Sequence, residues 1–96
     1  RCYILVNDKY LIKKFNRDKI VQSLNKSGVL CNVGSCSEIY LEKAFHGKKY
    51  KPKKRLRNAM HTSKNTIAFL VHPTLSSQYI NYSVGVIRKL MNKITI

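Results

Sequence analysis

The feature that most constrains the fold of this chain is a change of residue pattern at Gly34. An apolar run at residues 29–33 stops at this glycine, small polar residues follow, and helical spacing continues to Phe45. Ser37 followed by Glu38 suits a helix N-terminus, because a hydroxyl can cap the first turn and an acid interacts favourably with the helix dipole. We therefore predict a strand at residues 29–33, a tight corner, and a helix at residues 37–45.

This corner is the first candidate site. The backbone N–H groups at a helix N-terminus are free and the dipole is positive there, so such a junction can bind an oxygen-rich ligand. The residues concerned are Ser35, Cys36, Ser37 and Glu38. The alternative is purely structural: a helix cap beside a buried thiol. A catalytic role for Cys36 has little support, because a cysteine nucleophile needs a base and no histidine is close in sequence.

Turn signals and apolar spacing predict the elements before the corner. Residues 2–6 favour a strand, and residues 10–12 can return as its hairpin partner after the Asn7-Asp8-Lys9 turn. Asn16 is a good N-cap for a helix at residues 17–27, and Gly28 lies where a C-cap glycine belongs.

The elements after the corner are predicted in the same way. A short helix closes the segment near Met60, and residues 66–71, apolar on both alternating faces, predict a central strand covered on both sides. Ser76 caps a final helix whose apolar residues recur at steps of four and three: Ile80, Val84, Ile87, Met91 and Ile94. Residues 1–96 thus form a single small α/β domain of the α+β sandwich type, with a small mixed or antiparallel sheet and helices mainly on one face.

Composition narrows the class of protein. The chain has 19 Lys plus Arg against 4 Asp plus Glu, a formal charge of +15, which attracts polyanions at long range. No apolar run approaches the roughly 20 residues of a membrane span. The three cysteines are odd in number and lack CxxC spacing, which indicates free thiols of a reducing cytoplasm. Because the chain starts at Arg1, we expect it to be cut from a longer protein.

The basic segment at residues 48–57 has three interpretations. Charge runs are usually solvated surface. Nucleic-acid binding is a second possibility, although Tyr50 alone supplies little stacking. The third is electrostatic steering of a nucleotide diphosphate towards a cleft, with these residues as the candidates: Lys53, Lys54, Arg55 and Arg57.

Cysteines and histidines do not match a known metal pattern. The spacings of Cys31, Cys36, His46, His61 and His72 fit no zinc motif, so we predict no metal site. His72 precedes Pro73, which favours a turn histidine at the end of a strand.

Three motifs carry a resemblance to a known family. They are VGSCSEIYLEKAF at residues 33–45, RLRNA at 55–59 and FLVHPTLS at 69–76. Together they resemble the C-terminal small domain of the DegT/DnrJ/EryC1/StrS aminotransferases, and the similarity runs over nearly the whole chain. These enzymes use pyridoxal phosphate to aminate keto-sugars attached to nucleotides. Arg57 departs from the pattern, which has a proline there, and the family's large domain with its cofactor-binding lysine is absent.

The resemblance implies a function for the longer protein. Such an enzyme would transfer an amino group, commonly from glutamate, to a nucleotide-linked keto-sugar for polysaccharide biosynthesis, and would form a homodimer. The corner at residues 35–38 would line the sugar pocket, while the cofactor would be bound by the missing N-terminal large domain. We expect this chain alone to bind no cofactor, to be inactive, and to expose apolar surface where the large domain docks.

Two other hypotheses stay open at this point. The chain could be a small basic module that binds nucleic acid without catalysis, although no recognised reading motif is present. It could also be the remnant of a split or truncated gene.

Overall fold

The computed structural model describes residues 1–34 and 38–96. They form, in chain order, β1 (Cys2–Leu5), α1 (Arg17–Lys26), β2 (Cys31–Asn32), α2 (Arg57–Asn65), β3 (Thr66–Phe69) and α3 (Ser77–Ile94), with short 3-10 turns at Asp8–Tyr10, Ile39–Leu41 and Lys43–Phe45. We call residues 38–56 the basic loop and the other described residues the body. None of the described helices is both long and apolar enough to cross a membrane.

The three strands form an antiparallel sheet in the order β1-β3-β2. Side chains on β3 alternate between the two faces, and Ile67 and Ala68 are both buried, so the centre of this strand is covered on both sides as predicted. The small α+β architecture with an antiparallel sheet is confirmed.

The core lies between the sheet and helices α1 and α3. Five side chains are almost completely buried there: Ile20, Leu24, Val29, Ile67 and Ile94. Residues of α3 that were predicted from the apolar stripe, including Ile87 and Met91, pack against this core, whereas Ile80 and Val84 of the same stripe are exposed. Both of these helices therefore cover the same face of the sheet, as expected.

The caps of the long helices match the sequence prediction. The Asn16 side chain accepts a hydrogen bond from the backbone N–H of Lys19, and Ser76 accepts one from Tyr79. Gly28 adopts φ +86° beyond α1, a left-handed conformation that glycine takes without steric cost.

The predicted hairpin at residues 10–12 does not form. Asn7 caps the 3-10 turn at Asp8–Tyr10, and Leu11 forms an isolated bridge with Thr95 at the end of α3. β1 pairs instead with β3, and in the register of this pair Ile4 lies opposite Ile67. The strand predicted at 29–33 is also shorter, since only Cys31 and Asn32 join the ladder.

The helix predicted at residues 37–45 is likewise wrong from residue 38 onward. Two 3-10 turns replace it, and the hydroxyl of Tyr40 donates to Oε1 of Glu38 at 2.8 Å. Side chains two residues apart do not face each other on an α-helix, so this contact requires a different backbone.

Candidate functional site

Gly34 forms the first part of the candidate site. Its φ of +89° is unfavourable for other residues, and a Cβ built there would lie 3.3 Å from Cγ2 of Thr66. The backbone break predicted at this glycine is present, but β2 already ends at Asn32, two residues before it. Ser35, Cys36 and Ser37 lie outside the described residues, so their proposed contacts with a ligand stay predictions.

Arg17 fixes the backbone around Gly34. Its Nη1 lies within hydrogen-bond distance of three carbonyl oxygens: Val33 at 3.1 Å, Ser63 at 2.9 Å and Thr66 at 2.8 Å. These bonds link the start of α1 to the end of β2 and to the junction of α2 with β3. No local pattern predicts this role, because in the sequence Arg17 resembles an ordinary first-turn residue of an amphipathic helix.

An open depression of about 720 Å³ lies beside the corner. Gly34 and Asn32 line it from the end of β2, together with Ala68 and Phe69 of β3 and with Asn25. Gly34 is thus reachable from solvent on this side. Its mixture of amide and apolar groups can contact both the hydroxyls and the ring faces of a sugar.

The second part of the site is an ion-pair cluster around Glu38. Arg55 donates two hydrogen bonds to this carboxylate, from Nε to Oε1 at 3.1 Å and from Nη2 to Oε2 at 2.8 Å. Tyr40 donates the third, and the Tyr40 oxygen accepts the backbone N–H of Leu56 at 2.9 Å. The cluster therefore ties the beginning of the basic loop to its end.

Electrostatics keep Glu38 ionised. Hydrogen bonding from Arg55 holds the pKa of this carboxyl below its ordinary value of 4.5, against the opposing effect of burial, and Tyr40 adds to the lowering. Glu38 is only 9% exposed. With three hydrogen bonds already accepted, it is an anchor with little capacity left for a ligand and no proton to donate at neutral pH.

Arg55 both holds the carboxylate of Glu38 and remains exposed to solvent. Half of its side chain, 51%, remains accessible although it holds Glu38. Lys53, Lys54 and Arg57 are exposed nearby in sequence. The pairing of Arg55 with Glu38 could have been suspected, because a glutamate in a chain with only 4 acids and 19 basic residues readily finds a guanidinium.

The remaining sequence candidates have structural roles where the structure describes them. Nδ1 of His72 accepts the backbone N–H of Thr74 at 3.2 Å, which confirms the turn histidine. Burial raises the pKa of the Cys31 thiol above its ordinary value of 9.0, and this disfavours the thiolate. In residues 1–34 and 38–96, no three potential metal ligands lie together.

Comparison with known proteins indicates a class. The fold is that of a small domain of an aminotransferase. The X-ray structure of the aminotransferase from Psychrobacter cryohalolentis matches 96% of this chain with a TM-score of 0.90 and 39% sequence identity. The chain spans only 23% of the length of that enzyme. No protein-family model matches the chain, and no curated protein matches it.

Proposed function

We propose that this chain is the C-terminal small domain of a pyridoxal-phosphate-dependent aminotransferase of the DegT/DnrJ/EryC1/StrS family. The observation that carries the proposal is the 39% identity, at a TM-score of 0.90, to part of an aminotransferase. The choice of family rests on the motifs at residues 33–45, 55–59 and 69–76. On this basis the whole enzyme aminates nucleotide-linked keto-sugars for polysaccharide biosynthesis.

Within that enzyme the chain would shape the sugar pocket. Gly34 lines the open depression, and we propose that Ser35, Cys36 and Ser37, which follow it in sequence, contact the sugar together with Glu38. Glu38 acts there mainly by fixing the segment, since Arg55 and Tyr40 occupy its carboxylate. The exposed charges of Lys53, Lys54, Arg55 and Arg57 raise the local concentration of an anionic nucleotide sugar.

The lysines of this chain do not fit the role of cofactor ligand. Pyridoxal phosphate is bound through a lysine amine, which enzymes activate by desolvation or by a neighbouring cation. Among the described residues every lysine is exposed except Lys51, which is half-buried in the basic loop. We therefore assign cofactor binding to the N-terminal large domain of the longer enzyme, and no activity to this chain alone.

The cellular setting follows from the same proposal. The full-length enzyme would act in the cytoplasm as a homodimer. Two cysteines are free thiols in the described part of the chain, Cys2 on the surface and Cys31 in the core. Such thiols persist in a reducing compartment, which supports this setting.

A hybrid enzyme tests the proposal. The matching part of the Psychrobacter cryohalolentis aminotransferase is replaced by this chain, and transfer of 15N from labelled glutamate is followed by mass spectrometry. Acceptors are nucleotide-linked keto-sugars, with free keto acids as the comparison. We expect labelled amino-sugar nucleotide from the hybrid, and less of it after Ser35→Ala or Ser37→Ala. A folded hybrid that labels only keto acids would contradict the sugar assignment.

Nucleic-acid binding is the second candidate, favoured by one observation. Lys48, Lys49, Lys53 and Lys54 are exposed along the basic loop, and Tyr50, 70% exposed, is available for stacking. The discriminating measurement is binding of the isolated chain to random oligonucleotides at physiological ionic strength. Tight binding would favour this module, whereas indifference would favour the aminotransferase.

A further inference from the structure

The chain exposes more surface than a compact protein of its size. A compact monomer of this mass exposes about 5,700 Å², whereas this chain exposes 7677 Å². Its radius of gyration is 16.1 Å, against about 12.5 Å for a compact domain of this length. The basic loop contributes to the difference, and so does the body, where Tyr3 and Leu5 of β1 are exposed on the face of the sheet opposite to Ile67. The excess of roughly 2,000 Å² exceeds the roughly 800 Å² that one partner contributes to a standard interface, so it leaves room for such an interface on the body.

The face of the sheet opposite to Ile67 carries an apolar groove between β1 and the end of α2. Its volume is about 450 Å³, and it is lined by Tyr3, Ile4, Leu5, Val33, Thr62, Ser63 and Thr66. Tyr3 and Leu5 are on the face of the sheet opposite to Ile67 and are 51% and 57% exposed. Val33 beside them is 48% exposed. Contiguous exposed apolar surface of this kind is typical of interaction sites.

The net charge of the chain indicates which kind of partner can bind in the groove. A second copy would bring another +15 against this one, and such self-repulsion opposes association. Within the chain, Asp18 is paired with Arg17 and Glu38 with Arg55. A suitable partner is therefore apolar at its centre with acidic residues at its rim.

We infer that this groove is the docking surface for the rest of the aminotransferase polypeptide. The inference rests on the proposed function and adds the face that is used. The part of the matched enzyme that this chain does not cover is more than three times as long as the part that it covers. That remainder is long enough to supply such a surface. Docking here covers Tyr3 and Leu5, fixes β1 at the interface, and leaves the depression beside Gly34 at the boundary between the two parts.

The hybrid described above tests this inference by its unfolding. Leu5→Glu and Leu5→Thr alter the groove, the second while keeping a residue that favours strands. Val84→Glu is the matched control, because Val84 is also about half exposed but lies on α3. We expect the parent and the control to unfold in one transition. The groove variants should show a separate, earlier transition and cleavage between the two parts faster by on the order of tenfold, as for loss of an interface anchor.

Two measurements keep the outcome decisive. Circular dichroism of the isolated chain should be unchanged by Leu5→Thr, which shows that the effect arises at the interface. The inference is overturned if the parent hybrid already unfolds in two steps, if Val84→Glu matches Leu5→Glu, or if the isolated chain dimerises through the groove. A hybrid that unfolds as one unit but transfers no nitrogen to sugars supports docking and contradicts the proposed function.

Discussion

The body and the basic loop of this protein are held together by different interactions. The body buries Ile20, Leu24 and Ile67 in one core and pairs strands far apart in sequence. In the basic loop, the backbone hydrogen bonds are local and mostly join residues three apart, such as Leu41 to Glu38. Its ends are tied by a polar cluster instead.

This difference shows where function can reside. Apolar burial fixes the body as a scaffold, whereas the contacts of the loop include an edge-on pair of Phe45 and Tyr50, at 5.8 Å between ring centres, and the Glu38 cluster. The residues of the loop lie outside the hydrophobic core, and a segment outside the core opens at a lower free energy than the core itself. We therefore expect the basic loop to open more readily than the body.

The largest effect is expected in the core. Ile67 is fully buried at the centre of β3, and Ile67→Ala should lower the free energy of unfolding by about 2–5 kcal/mol. Urea unfolding followed by circular dichroism measures it. Ile96→Ala is the control, since Ile96 is 86% exposed and should change stability by about 0.5 kcal/mol or less. Equal effects would show that the body is not built around this core.

The contrast between body and loop also marks the limit of sequence reasoning. The two long helices were predicted because their signals are local: Asn16 and Ser76 cap the turns that follow them. The hairpin at residues 10–12 was wrong because β1 pairs with a strand more than sixty residues away. No local pattern encodes that choice.

In the candidate site, too, local signals could be recognised in the sequence and long-range contacts could not. The break at Gly34 was visible in the sequence, and its φ of +89° shows a backbone that favours glycine, although β2 ends two residues earlier at Asn32. The link from Glu38 to Arg55 spans 17 residues and converts the expected helix into 3-10 turns. Arg17 was missed for the same reason, because all three carbonyls that it contacts are distant in sequence.

A smaller effect is expected when the loop is untied by acid. The pKa of Glu38 is lowered in the folded chain, so its contribution is complete above the ordinary value of 4.5 and is lost as pH falls through the folded pKa. The Nε–H resonance of Arg55, followed by NMR, should therefore lose its bonded chemical shift only at a pH below 4.5.

Two variants sharpen this titration. Glu38→Gln should remove the acid transition of the Arg55 resonance, whereas Asp8→Asn, an exposed acid of the body, should leave it in place. Tyr40→Phe removes the acceptor for the N–H of Leu56 and should cost about 1 kcal/mol. An Arg55 transition that survives Glu38→Gln would mean that another group ties the loop.

The smallest effect is expected for a substitution at the start of α2, where the basic loop ends. It is an increase in the free energy of unfolding. Arg57 is the first residue of the helix and occupies the position at which the resembling family carries a proline. Proline suits a first helical residue, and the preceding Leu56 is already extended at φ −79° and ψ 116°, as a residue before proline must be.

Arg57→Pro should therefore raise the free energy of unfolding by about 0.4–1 kcal/mol, because it restricts the unfolded chain. It also removes a cation from the positive end of the helix dipole. Asn58→Pro is the matched control: it places the proline after a residue that must be helical and should destabilise the chain. Urea unfolding of both variants measures the difference, and a loss of stability in Arg57→Pro would place the start of α2 elsewhere.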